Sequence, residues 1–243
     1  MDYREAATVL KDSVGLATEP VAVKFHEAKP LPEGFVMVSE RRYCQALMGA
    51  RQGKRLALTA ENISCPAAAW AFGFREPPLP LARGTIPAAT GIFGSDQAAR
   101  TTLGTMSRLE MGKYQMLTVS PLGETPFDPD VIVVESVVEH LMWIALALVR
   151  ETGGRLQFST AILQATCVDA TTIPFLTQKM NASLACYGCR EATDLREGEA
   201  VLGFPLKDLE TIVGSLRALH EKAIPRVRLA APYRALMSRN EPC

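Results

Sequence analysis

Short β-branched runs and longer apolar stretches of helical period follow one another along this chain, and their order recurs. "PVAVKF" (20–25) and "DVIVVE" (130–135) read as strands. Each is followed by an apolar helical stretch ending in a charged, glycine-containing turn: "CQALMGARQGKRL" from Cys44 and "WIALALVRETGGRL" from Trp143. Arg55-Leu56 then matches Arg155-Leu156. A second strand and a cysteine follow, "RLALTAENISC" to Cys65 and "RLQFSTAILQATC" to Cys167. "GIFGSDQAARTTLGTM" from Gly91 and "GFPLKDLETIVGSL" from Gly203 share a glycine and, at the sixth position, an aspartate.

This recurrence predicts an internal duplication. An N-terminal helix over 1–19 precedes a first α/β half over 20–122, which carries Cys44 and Cys65. A second half over 123–230 carries Cys167, Cys186 and Cys189, and 231–243 form a basic, proline-broken tail. The expected fold is a single α/β unit of two similar βαβ-like halves, with mixed sheets flanked by helices. Two closing helices have clear core stripes at helical spacing. One is Ala99, Thr102, Leu103, Met106 and Leu109, opened by Ser95 and Asp96 as caps. The other is Leu206, Leu209, Ile212, Val213, Leu216 and Leu219. Prolines and glycines keep 75–91 and 121–130 irregular; the first is long enough to cover a site, and the second suits a connector.

Composition narrows the function. Of 243 residues, 48% are apolar, and 26 Lys and Arg balance 26 Asp and Glu, so no net field draws the chain to nucleic acid. The longest apolar run, Leu141 to Val149, is nine residues, about half a bilayer span, and reads as a buried helix. The charged N-terminus lacks the pattern of a signal peptide, which gives a cytosolic expectation. Six cysteines then belong to a reducing compartment, as metal ligands, redox groups or packing residues rather than disulfide staples. No G-x-S-x-G, P-loop, H-E-x-x-H or calcium-loop pattern is present.

In "LACYGCRE", Cys186 and Cys189 have the C-x-x-C spacing that brings two thiolates to one metal centre or to each other. A thioredoxin-type pair opens a helix after a strand, and "REATDLREGEA" does not read as an apolar helix, so metal binding leads. Gly188 between them could adopt positive φ and turn backbone amides toward the sulfurs. Cys65-Pro66 adds the C-P step found after iron–sulfur ligands. A cubane needs three or four thiolates. Cys44, Cys65, Cys186 and Cys189 form the preferred set, with Cys167 either replacing Cys44 or standing beside the centre. Cys44 also has a bland reading, since Leu47 and Met48 place it on a core-facing helix side. Terminal Cys243 is not expected to ligate. Zinc is the rival metal, in a closed structural site, although only one C-x-x-C knuckle exists.

The three histidines are scattered. His140 and His220 have ordinary structural readings, while His26 sits at the carboxyl end of a strand, where α/β sheets hold ligands. Arg190, beside Cys189, could hold an anionic substrate or make a surface ion pair. Arg190 and His26 are therefore the catalytic candidates. Glycines before the Ser95 helix could bind an anion, or simply begin the helix.

"PVAVKF", "CQ" (Cys44-Gln45), "CP" (Cys65-Pro66), "PDVIVV", "CYGCRE" and "GEAVLGFP" occur in the order seen in the DUF169 proteins, a family of unknown function common in anaerobic bacteria and archaea. The chain resembles that family from about residue 8 to 225. The resemblance supplies no substrate. It fits an oxygen-sensitive cofactor and places the family's cysteines on Cys44, Cys65, Cys186 and Cys189. The expectation is an iron–sulfur protein holding a 4Fe–4S cluster, leaning toward an enzyme that uses the cluster as Lewis acid or redox centre on a small molecule. The rivals are a non-catalytic sensor or electron-transfer protein, and a zinc- or thiol-stabilised structural protein. A small-molecule substrate or redox partner is expected, without nucleic acid or membrane and with a homo-oligomer left open.

Overall fold

The computed structural model describes residues 1–28 and 30–224; the expected tail and Cys243 lie outside them. Helix α1 (Tyr3–Val14) is opened by Asp2, whose carboxylate accepts from Arg4 N at 2.8 Å, and closed by Gly15 at φ 80°. Next come β1 (Val21–His26), β2 (Val36–Met37), α2 (Tyr43–Arg51), β3 (Leu56–Thr59), α3 (Pro66–Ala71), α4 (Leu79–Ala82), α5 (Thr85–Ala89), α6 (Asp96–Gly104) and β4 (Met116–Pro121). The rest is β5 (Val131–Val137), α7 (Val138–Val149), α8 (Ile173–Thr177), β6 (Asn181–Ser183), α9 (Tyr187–Ala192), β7 (Glu199–Pro205) and α10 (Leu209–Lys222).

The strands form one mixed sheet in the order β2-β3-β4-β1-β5-β7-β6, parallel only at β2–β3. Apart from short β2, the order mirrors itself about the central β1–β5 pair. Val21 lies opposite Pro121 and Val131 opposite Pro205, each proline leading into a 3-10 turn. In each half the last strand sits antiparallel between two strands that run alike, so each βαβ unit is split. The continuous apolar runs of β1 and β5 follow from burial on both faces. Val21, Val23, Phe25, Val131 and Val133 enter one core, while Ala22, Ile132 and Val134 enter the other.

Helices do not repeat as the strands do. α2 packs in the first core with α3 and α9, whereas α7 packs in the second with α1 and α10. The alignment of Gly91 with Gly203 also fails: Gly91 stands in an open turn at φ 75°, and Gly203 lies within β7. The second copy's expected strand over "RLQFST" is absent. There the amide of Asn181 takes over the pairing, accepting from Ser159 N and donating to Ser159 O, both at 2.8 Å. α6 ends at Gly104, so Met106 and Leu109 reach the core from beyond the helix. Leu206 precedes α10 in a 3-10 turn, while the rest of that stripe behaves as read. α7 is only half sunk: Leu141, Ile144 and Ala147 are buried, but Met142 and Leu146 are exposed.

One element has no counterpart in the sequence reading. Ala165–Thr172, expected as a cysteine-bearing loop, is a fully buried π-helix. Its wider turn is supported by hydroxyls that bond back five residues, Thr171 Oγ1 to Thr166 O at 2.7 Å and Thr172 Oγ1 to Cys167 O at 2.9 Å. It lies so close to β7 that a Cβ on Gly203 would stand 1.8 Å from Ala170 O. π-turns often accompany functional sites because they displace side chains from the ordinary helical path.

Candidate functional site

Cys44, Cys65, Cys167, Cys186 and Cys189 line one cavity of about 60 Å³. The five come from four segments. Cys44 is in the first turn of α2, Cys65 caps α3 ahead of Pro66, Cys167 rides on the π-helix, and Cys186 caps α9, whose first turn holds Cys189. Cys44, Cys167 and Cys189 are buried, and Cys65 and Cys186 are half-buried. Cys44 faces the first core, as its bland reading has it, and also lines the cavity with the other thiols.

Two polar latches hold α2 against α9. The Arg42 guanidinium donates to Gly188 O at 3.1 Å. Gln45 accepts from Arg42 N and donates to Ala192 O. The glutamine of "CQ" therefore has a positioning role that the sequence reading did not assign.

Cys186 Sγ and Cys189 Sγ are 3.1 Å apart, and Cys186 Sγ accepts from Cys189 N at 3.3 Å. Cys189 Sγ also meets Thr166 Oγ1 at 3.2 Å. The thiol pKa of Cys186 is raised by its hydrogen bond with Cys189 and by burial. Its partner's bond lowers that of Cys189, but the Cys44 hydrogen bond and burial outweigh this and bring it to about 11. Burial and the neighbouring Cys65 push Cys167 up strongly. These three sulfurs are therefore neutral thiols at ordinary pH.

Two expectations about "CYGCRE" change. A short helix does start at the pair, and Gly188 lies inside it without positive φ; the left-handed residue is Ala185, at φ 67°, just before Cys186. A second non-glycine outlier, Ile162 at φ 62°, precedes the π-helix. A β-branched residue pays sterically for that conformation, so packing of the surrounding chain must hold it.

Neither catalytic candidate lines the cavity. Arg190 is spent on backbone, donating to Leu184 O, Arg196 O and Glu199 O at 2.7–3.1 Å, and so fastens the cysteine loop to β7. The guanidinium at the cavity wall is that of Arg42. His26 pairs with Thr118 Oγ1 at 2.9 Å and packs edge-on against Phe127; burial and Lys24 lower its pKa. Ser95 caps α6 through Ala98 N, the ordinary helix start. Sequence reasoning missed Thr166 and Gln164, which line the cavity and carry no motif.

Among the described residues, the cavity wall carries five thiols and no carboxylate or imidazole. The thiols face a shared space rather than a common point. Among the described residues, no group of three or more His, Cys, Asp or Glu is arranged to hold a metal ion directly. No helix among them is long and apolar enough to cross a membrane.

Fold and site define an α/β protein with a sulfur-lined cavity among the helices on one face of a mixed sheet. The chain belongs to the DUF169 family, described as uncharacterised ArCR, which it matches over residues 9–215. It is 32% identical over 219 residues to an uncharacterised protein of Methanocaldococcus jannaschii, MJ0308, covering 88% of this chain and 94% of the relative. No solved structure matches it.

Proposed function

We propose that the cavity holds an iron–sulfur cluster, a 4Fe–4S cubane in our reading, and that the protein acts with it on a small molecule. The observation that carries this is the convergence of five cysteines from four segments on one cavity. Packing thiols together without a cation opposes their ionisation, and a metal centre is the occupant that makes the thiolate form favourable.

Cys44, Cys65, Cys186 and Cys189 are the ligands of choice, with Cys167 as the fifth sulfur at hand. A cluster needs at most four, so one cysteine is left as a neighbour or an alternate ligand. With three protein ligands, the cluster would supply a Lewis-acidic iron for a small molecule; with four, it would carry electrons. The chain's own contribution is to orient and enclose. Arg42 and Gln45 lock α2 to α9, Thr166 holds Cys189, and the buried π-helix closes the inner wall. A single zinc ion is the weaker reading, because the thiols line a space instead of meeting at a tetrahedral point.

Anaerobic purification with iron, sulfide and zinc analysis and a visible absorption spectrum tests this. Brown protein with near-equal iron and sulfide is expected, and Cys186→Ser and Cys189→Ser should each lose most of the iron. Colourless protein, or stoichiometric zinc, would overturn the reading.

A further inference from the structure

Gln164 is buried to 2% exposure, and neither Nε2 nor Oε1 of its amide has a hydrogen-bond partner among the described residues. Among the described residues only two other buried side-chain atoms stand in that class, Arg51 Nε and Glu135 Oε2, and they face each other as an ion pair at 2.8 Å. The orphaned amide therefore belongs to Gln164 alone. It lines the cysteine cavity.

Its backbone is tied into the π-helix. The Gln164 carbonyl accepts from Val168 N and Asp169 N, both at 3.1 Å, at the start of the π-helix. Burying an unpaired carboxamide opposes folding, and an apolar side chain of similar length would avoid that penalty. Of the other polar side chains on the wall, Thr166 meets Cys189 Sγ, Tyr43 OH meets Thr171 Oγ1, and one Arg42 nitrogen donates to Gly188 O.

We propose that Gln164 is a hydrogen-bonding arm for the sulfur-rich group in the cavity, its Nε2–H donating to a thiolate or sulfide sulfur. The identity of the occupant rests on the cluster reading above; the unpaired amide does not. A donor on a cluster sulfur stabilises the extra negative charge of the reduced state, so it raises the reduction potential. Gln164 is in this sense a positioning and tuning residue.

The test uses Gln164→Leu, with Gln164→Met as a second variant should branching at that site prevent folding. In metal-free protein both should melt several degrees above wild type, because the desolvated amide is gone. In iron-loaded protein they should retain iron but show a midpoint potential more negative than wild type. Metal-free variants melting at or below the wild-type temperature would mean that the amide is satisfied, by solvent or by packing, and would overturn the inference. So would a raised melting temperature with an unchanged potential. Wild-type protein that takes up no iron defeats the cluster reading independently of any variant. The metal-free comparison then decides the amide: a rise supports an arm reserved for another occupant, and no rise removes it.

Discussion

Glu135 on β5 is a carboxylate in the core, with a side chain 4% exposed against that of Arg51 at 6%. Burial lifts its pKa from 4.5 to about 7, despite the pull of Arg51. Between those values the folded chain holds a proton that the unfolded chain has released. Stability therefore falls as pH rises from about 4.5 to about 7 and is level above. A shift of this size corresponds to about 3 kcal/mol. Urea unfolding across that window should show the fall in wild type and a flatter profile in Glu135→Gln. Parallel profiles would show that Glu135 titrates normally. At this scale the cysteines were legible because C-x-x-C and C-P constrain chemistry by spacing. Gln164 and Arg51 were not, since an amide or a guanidinium acquires its meaning from burial, and burial is not a local property.

Elements were legible where one period ruled. β1, β5, α10 and the start of α6 follow their apolar patterns and caps. The π-helix was hidden because its hydrogen bonding depends on threonine hydroxyls and on the close approach of β7. Gly203 makes that approach feasible: any Cβ there meets the Ala170 carbonyl, and backbone on both sides cannot yield as a flexible side chain would. Gly203→Ala should destabilise the protein by about 3 kcal/mol or more and lower the melting temperature by several degrees. Thermal unfolding followed by circular dichroism reads this directly. Gly91→Ala is a control of another kind, because its Cβ would meet nothing within 4 Å and any cost comes from φ 75° alone. α7 was read as buried because an apolar run does not say how many of its sides find partners. Met142 and Leu146 did not.

At the scale of the whole molecule, the two halves share one sheet and one cavity. β1 pairs with β5 at the centre, and Cys44 and Cys65 of the first half face Cys167, Cys186 and Cys189 of the second. A fragment ending at residue 128 would leave the central edge of β1 open and remove α7 and α10 from the second core. We expect it to show no cooperative unfolding transition in urea; a sigmoidal transition with a native-like slope would mean that the first half folds alone.

The sequence by itself determined the α/β class, the central strands, the family and the cysteines worth watching, because hydrophobic period and thiol spacing act over short distances. Tertiary structure alone decided that five thiols share one space, that the Arg190 guanidinium bonds backbone at Leu184, Arg196 and Glu199, and that Gln164 is buried without a partner among the described residues. Each of these depends on segments distant in the chain, and only packing against the common sheet brings them together.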